Sequence, residues 1–258
     1  MTNRSHGPDW TAWLARWDQQ QEAFNPTREA RFTAMMDVLE VRLGRRFTVL
    51  DLGSGPGSFS ARILRRFPAA RSVAVDYDPV VQRVGRGALG TFGGRLSWID
   101  AKLGAPGWVD ALPGRKFDAA VSTTALHWLT PPQLGRLYRD LRPLLRPGGV
   151  FLNGDQLPWE RSERDLYGLG HATARLWAQR NHRTAREGWN GWKAWWRDAR
   201  RVPALAAEFA EHDRRSAGHP KTEDSSLERH ARYLRRAGFR TVAVVWQVFE
   251  NRVLLAVR

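Results

Sequence analysis

The residues best suited to chemistry lie in one short stretch, where an apolar run from Val49 leads into Gly53, Ser54 and Gly55 and then into a helical pattern. Glycine suits such a turn because the backbone needs unusual angles and because a ligand must approach the main chain closely. Asp51 lies just before the turn, where its carboxylate would repel a pyrophosphate but favour an ammonium group. The stretch therefore predicts a ligand site, the alternative being a plain strand-to-helix turn.

Acidic residues follow the next two apolar runs along the chain. Asp76 ends the second run, where an acidic side chain can accept from both hydroxyls of a ribose. Asp78 is the better cap for a helix that begins at Pro79, which would leave Asp76 free. Tyr77 can lie against an adenine face, and Asp100, at the end of the third run, can accept from an exocyclic amine. Together these residues predict a nucleoside site.

His127 follows the fourth apolar run. Imidazole exchanges protons near neutral pH, so His127 can act as a base or as an orienting donor. A histidine that only packs at a helix start is an equally good alternative. Trp128 is expected to form a pocket wall, and Asp155 follows the fifth run, at the edge where open α/β sheets bind ligands. We predict His127 as the catalytic residue, and Trp128 and Asp155 as substrate-binding residues.

Short apolar runs that alternate with helical patterns predict the elements that position these residues. The five runs are 47–51, 72–76, 96–99, 117–122 and 149–153. This alternation predicts a parallel sheet with right-handed crossovers. Runs 240–249 and 252–257 predict a closing antiparallel hairpin. The predicted fold class is α/β, a Rossmann-like, seven-stranded, mostly parallel sheet, in which Gly148 and Gly149 end the helix before the fifth strand.

Helical segments are predicted on both sides of this core. The expected divisions are an N-terminal helical segment (1–46), a core (47–157), a helical cap insertion (158–225), and a last helix with the terminal hairpin (226–258). Six of the 13 Trp lie between Pro158 and Ser226. Two tryptophan stripes recur at helical spacing, one formed by Trp189, Trp192 and Trp195 or Trp196 and the other by Trp10, Trp13 and Trp17. Both stripes are either the buried core of a helical lid or an aromatic cage over the site, and we predict that Trp17 binds substrate.

Charge and composition exclude some classes of protein. The formal net charge of +15 permits nucleic-acid binding, but Arg outnumbers Lys 37 to 4 and the basic residues are scattered. The chain has no Cys, which excludes disulfides and thiolate zinc sites. It also has no run of about 18 apolar residues and no signal-peptide pattern. We predict a cytoplasmic monomer or homodimer without a bound metal.

Taken together, these motifs resemble the class I S-adenosylmethionine-dependent methyltransferases, from Phe47 to about Asp155 and again in the last helix and hairpin. The resemblance implies S-adenosylmethionine as the cofactor. It also implies that Gly53, Ser54 and Gly55 surround the methionine portion and that Asp51 lies near the amino group of that portion. Asp76 would bind the ribose, and Asp100 with Ala101 would contact the adenine. We add Thr123 as a cofactor contact. Arg28 either meets the cofactor carboxylate or is a surface arginine.

Within this class, the chain resembles small-molecule methyltransferases of the trans-aconitate methyltransferase type. The likeness rests on the segment from Ala125 to Leu129 and on the cap before the last helix. Enzymes that methylate exocyclic amines of nucleic acids often carry an Asp/Asn-Pro-Pro-aromatic motif, where this chain has Ser122-Thr123-Thr124-Ala125. We therefore expect methyl transfer to an O, N or C nucleophile of a small molecule, which includes natural-product intermediates. The alternatives are an RNA or DNA methyltransferase and a non-catalytic regulatory protein that binds the cofactor.

Overall fold

The computed structural model describes residues 7–114, 116–180, 185–217 and 225–258. Seven strands form one sheet in the order β3-β2-β1-β4-β5-β7-β6. They are β1 (Thr48–Leu52), β2 (Arg71–Asp76), β3 (Leu96–Asp100), β4 (Phe117–Thr123), β5 (Leu145–Gln156), β6 (Thr241–Val248) and β7 (Asn251–Val257). Strands β1 to β5 are parallel, and β7 is antiparallel to both β5 and β6. The predicted fold class is confirmed.

Nine α-helices occur in the described parts of the chain. They are α1 (Trp10–Phe24), α2 (Arg28–Leu43), α3 (Ser58–Arg66), α4 (Pro79–Leu89), α5 (Pro131–Leu144), α6 (Arg164–Arg180), α7 (Ala185–Ala199), α8 (Ala206–Ser216) and α9 (Leu227–Arg236). The predicted start of α4 at Pro79 is confirmed, since Asp78 is its N-cap residue, and α5 begins in the same way, with Thr130 as the N-cap before Pro131. Helix α9 begins after Ser226, whose hydroxyl accepts from the backbone N–H of Arg229.

One local prediction is wrong: the glycine pair Gly148 and Gly149 does not end helix α5. The helix already ends at Leu144, and β5 begins at the next residue. The glycines lie within β5, where its pairing with β4 shifts register. A Cβ on Gly149 would lie 2.9 Å from the carbonyl oxygen of Asp118. The pair therefore forms a bulge in which two strands approach closely.

Three apolar clusters hold the helices on the sheet. One face of the sheet packs against α5 and α9, and the other face packs against α2 and α3. The third cluster joins α1, α4, α7 and α8, with Trp195 of α7 at its centre and 1 % exposed. Most described residues of the segment predicted as a cap lie in α6, α7 and α8, and α7 packs on α1. The proposed domain divisions stay a prediction. None of the helices in the described ranges is long and apolar enough to cross a membrane.

Candidate active site

A cavity of about 1010 Å³ lies at the carboxyl edge of the parallel strands. Its walls come from the ends of β1, β2, β4 and β5, from α1 and from the cap helices α6, α7 and α8. A pocket for one drug-sized ligand usually has a volume of roughly 300 to 1000 Å³. This cavity can therefore hold a nucleoside-sized cofactor and a second small molecule side by side.

The glycine-rich loop after β1 forms one wall. Gly53 and Gly55 have φ angles of 69° and 54°, which side chains rarely adopt. The backbone N–H groups of Gly53 and Ser54 both donate to the carbonyl oxygen of Val75, at 2.8 and 3.0 Å, so the loop is fixed to β2. A Cβ on Gly53 would lie only 2.4 Å from the Cβ of Ala125. Both the backbone angle and the close approach of the segment after β4 therefore require glycine at position 53.

Asp76 lies beside this loop on the cavity wall. Its Oδ2 accepts from the N–H of Gly55 at 2.7 Å, and its Oδ1 accepts from the N–H groups of Tyr77 and Asp78 at 2.8 and 2.9 Å. The expectation that Asp76 is free was wrong, because it shapes the turn. Burial raises the pKa of Asp76 to about 6, against the effect of these hydrogen bonds. Each carboxylate oxygen has more than one lone pair, so Asp76 can still accept from a bound hydroxyl group.

Arg28 is buried in the cavity wall, with 5 % of its surface exposed, so the surface alternative was wrong. One Nη donates to Asp18 at 3.0 Å, and the other, Nη1, has no hydrogen-bond partner within the described chain and lies 3.6 Å from Oε1 of Glu29. The hydroxyl of Ser54 is likewise buried without a partner in the described residues. Buried polar groups are normally hydrogen-bonded. These two orphaned donors therefore mark places for an oxygen-rich ligand such as the carboxylate of a methionine portion.

Three predicted cofactor residues are not among those that line the cavity. Asp51 is buried beneath the loop, where Oδ2 accepts from Ser60 and burial raises the pKa of its carboxyl to about 6. Asp100 pairs through both oxygens with Arg215 of α8, at 2.7 and 2.8 Å, and Ala101 is buried behind it. The next residues, Lys102 and Leu103, line the cavity instead. The cavity wall after β3 thus begins about two residues beyond Asp100, where the strand ends.

His127 lies in a short 3₁₀ helix after β4 and lines the cavity. Its Nδ1 is 2.9 and 3.1 Å from the two carboxylate oxygens of Asp155. Asp155 is fully buried and is not on the cavity wall, so its expected contact with a substrate gains no support. Burial lowers the pKa of His127, but the charge and hydrogen bond of Asp155 outweigh it, so the pKa is raised. Burial raises the pKa of Asp155, and His127 and Arg31 more than offset this, so Asp155 stays ionised.

The tryptophan stripes divide between core and cavity. Trp17, Trp192 and Trp196 line the cavity, whereas Trp195 is buried. Trp17 and Trp195 pack edge to face, with ring centroids 5.0 Å apart. The buried ring of Trp195 therefore supports that of Trp17, which lines the cavity, so each alternative holds for some of these residues. Trp128, with 59 % of its surface exposed, also lines the cavity, as do Tyr77 and Thr123.

Sequence reasoning missed wall residues that come from elements distant along the chain. These include Gln133, Tyr167, His171, His212, Arg215 and Ser225. Their local sequences predict no ligand contact, since each reaches the cavity through helix packing. The adjacent serines at 225 and 226 offered one signal, because a helix needs only one N-cap residue, and Ser226 is that residue.

The residues present fit S-adenosylmethionine, which would be held by the glycine loop, Asp76, Arg28 and Ser54. A parallel sheet closed by an antiparallel last strand, with a glycine loop after β1 and an acid after β2, defines the class I methyltransferase architecture. Residues 49–149 match the family model described as a methyltransferase domain. Residues 49–149 are therefore similar to a methyltransferase domain, and the sheet around them has the fold of solved methyltransferases.

Individual known proteins are also similar to this chain. The chain is 35 % identical over 139 residues to a trans-aconitate 2-methyltransferase of Azoarcus sp. (strain BH72). The matched region covers 54 % of this chain and 50 % of that protein. An O-methyltransferase family protein from Burkholderia thailandensis has a similar fold, with a TM-score of 0.57 at 20 % identity, over 95 % of this chain and 59 % of that one. Human N-acetylserotonin methyltransferase in complex with SAM gives a TM-score of 0.55 at 14 % identity, over 95 % and 56 %. The chain spans about half the length of the curated relatives it matches first.

Proposed function

We propose that this chain transfers the methyl group of S-adenosylmethionine to an oxygen, nitrogen or carbon nucleophile of a small organic molecule. The observation that carries the proposal is that one cavity joins the glycine loop and Asp76 to a carboxylate-backed histidine, His127. The cofactor, when bound, supplies a methyl group activated by a sulfonium sulfur. The protein must then align the acceptor, exclude water and provide a deprotonated nucleophile.

His127 is suited to remove the acceptor's proton. An ionised carboxylate only accepts hydrogen bonds, so Asp155 fixes the hydrogen of the neutral imidazole on Nδ1 and leaves the lone pair on Nε2. Because Asp155 also raises the pKa of His127, the imidazole is a stronger base than an isolated histidine. Asp155 thus acts as a positioning residue, while His127 faces the cavity.

The aromatic walls support the remaining requirements. Trp17, Trp128 and Trp196 surround space that also borders the glycine loop and His127. Aromatic faces exclude water and favour cationic groups such as a sulfonium. Trp17 lies next to the loop, since a Cβ on Gly55 would be 3.8 Å from its ring. We therefore assign Trp17 to the cofactor end as well as to the predicted substrate wall.

The relatives favour small acceptors, because the curated match acts, by its name, on trans-aconitate. We extend the proposal to natural-product intermediates, to a cytoplasmic location and to a monomer or homodimer. Methylation of RNA or DNA gains little support, because many arginines pair with acids, as Arg66 does with Asp37 and Arg200 with Asp213. A purely regulatory protein would have no need of the pair formed by His127 and Asp155.

The direct test is release of S-adenosylhomocysteine by the purified full chain against a panel of small hydroxylated, amino and carboxylic compounds. Turnover with at least one compound, confirmed by the mass of the methylated product, is expected. His127→Ala serves as the matched control, because it keeps the loop and Asp76. Binding of the cofactor without turnover of any compound, together with an identical result for His127→Ala, would favour the regulatory alternative.

A further inference from the structure

A second histidine, His230 of α9, lies fully buried beneath the cavity. Its Nδ1 is 2.5 Å from the hydroxyl of Tyr138, and its Nε2 is 2.5 Å from the hydroxyl of Ser225. Tyr138 is also fully buried, while Ser225 lines the cavity. The three side chains form a row that runs from α5 through α9 to the cavity wall.

The protonation state of this row is fixed by burial. Burial lowers the pKa of His230 to about 4, which outweighs the opposing effect of Asp155. Burial also raises the pKa of Tyr138 well above its ordinary value, with Asp155 adding to the effect. His230 is therefore neutral and Tyr138 keeps its hydroxyl hydrogen at physiological pH.

The direction of the hydrogen bonds follows. Within the described residues His230 is the one hydrogen-bond partner of the Tyr138 hydroxyl, and a buried hydroxyl hydrogen without an acceptor is costly. Tyr138 therefore donates to Nδ1, so the single hydrogen of the neutral ring is on Nε2 and is donated to Ser225. Because the Ser225 oxygen accepts this bond, its own hydrogen is left for the cavity.

We infer that Ser225 is a recognition residue that donates a hydrogen bond to an oxygen atom of the methyl acceptor, and that Tyr138 and His230 hold it in that role. The inference rests on the proposed function of the cavity. Leu227, two residues after Ser225, donates its backbone N–H to the carbonyl oxygen of Pro158, which lines the cavity three residues after Asp155, the partner of His127, so Ser225 and His127 serve the same end of the cavity. The acceptor class is therefore a small molecule that carries a carbonyl or carboxylate oxygen near the group that His127 deprotonates.

Ser225 is not the residue that caps the helix. The N-cap of α9 is Ser226, which accepts from Arg229. Ser226 is not among the residues that line the cavity. The adjacent serines thus offer a matched pair, one for recognition and one for helix capping.

The first test is histidine ¹⁵N NMR of the labelled full chain, with the signals of His230 assigned by their loss in His230→Gln. We expect a neutral ring protonated on Nε2, unchanged between about pH 8 and 6. A ring protonated on Nδ1 would overturn the inference, since Ser225 would then donate to His230. This measurement needs neither a substrate nor turnover.

The second test compares binding of salicylate and phenol, which share a hydroxyl and differ in a carboxylate, to protein saturated with S-adenosylhomocysteine. Calorimetry should show tighter binding of salicylate to the wild type, and Ser225→Ala should reduce that preference by about tenfold. Ser225→Thr should restore it, Tyr138→Phe should weaken it, and Ser226→Ala should leave it unchanged. Equal binding of the two probes to the wild type, binding of neither, or an unchanged preference in Ser225→Ala would each overturn the inference. Failure of methyl transfer would leave these binding results standing, so the two proposals can fail separately.

Discussion

Asp155 and His127 are hydrogen-bonded through Nδ1, yet only His127 lines the cavity. The buried carboxylate is held ionised between His127 and Arg31, which itself donates to Thr124 and Asn251. The charge that raises the pKa of His127 is thus kept off the cavity wall. Under the proposed function, His127 would meet the acceptor while Asp155 sets the tautomer and basicity of its ring.

His127→Ala is expected to slow methyl transfer by roughly 100-fold or more, because general-base catalysis contributes about that much. Affinity for S-adenosylhomocysteine should remain close to wild type, since the loop and Asp76 are unchanged. Single-turnover kinetics with saturating cofactor measures the rate, and calorimetry supplies the control. An unchanged rate would assign His127 a packing role only.

The pH profile tests the Asp155 carboxylate. Neutral imidazole is the working form, so activity in the wild type should rise with pH through an apparent pKa above the ordinary value of about 6.5. Asp155→Asn removes the charge that raises this pKa and leaves burial and Arg31, which lower it. The acid limb should therefore move to lower pH, with a reduced plateau because the ring is less firmly oriented. If the acid limb of the Asp155→Asn profile stayed at the wild-type pH, the Asp155 carboxylate would not set the pKa that the profile reports.

Asp76→Ala should weaken binding of S-adenosylhomocysteine by roughly 1 to 3 kcal/mol, the usual cost of unpaired buried polar groups. Asp118→Ala is the matched control, because Asp118 also accepts from a backbone N–H, that of Thr48, but at the opposite edge of the sheet. Calorimetric titration of both folded variants gives the comparison. Equal affinity in the two variants would contradict the ribose assignment.

Gly53→Ala should impair cofactor binding and lower thermal stability, because the residue has a positive φ and its Cβ would contact Ala125. Gly168→Ala is the control: it lies within α6, and nothing is within 4 Å of its added Cβ. Replacing a helical glycine should be neutral or slightly stabilising. Thermal unfolding with and without S-adenosylhomocysteine measures both effects. If S-adenosylhomocysteine raised the unfolding temperature of Gly53→Ala as much as that of the wild type, the close approach of Ala125 to Gly53 would not matter for cofactor binding.

The adjacent residues Trp195 and Trp196 should respond differently to substitution. Trp195→Ala removes a fully buried ring and should cost about 3 to 5 kcal/mol of unfolding free energy. Trp196→Ala acts on a ring that lines the cavity, so it should change ligand binding more than stability. Chemical denaturation and calorimetric titration separate the two effects. Similar stability losses for both would place the whole stripe in the core.

The sequence by itself determined the sheet and the cofactor end. Alternating apolar runs fixed the strands, and the loop at Gly53 to Gly55 with Asp76 about twenty residues later fixed the ligand edge, because parallel strands bring their carboxyl ends to one side. These features depend on local pattern and on chain direction. They were therefore accessible without knowledge of helix packing.

Only the tertiary structure decided which side chains meet at the acceptor end. Asp155 and His127 are 28 positions apart, and Ser225 and Tyr138 reach His230 from different elements. Their roles depend on burial, which moves pKa values and fixes hydrogen-bond direction, and burial arises when distant segments pack together. The division of adjacent tryptophans between core and cavity has the same origin, since neighbouring residues on a helix point in different directions.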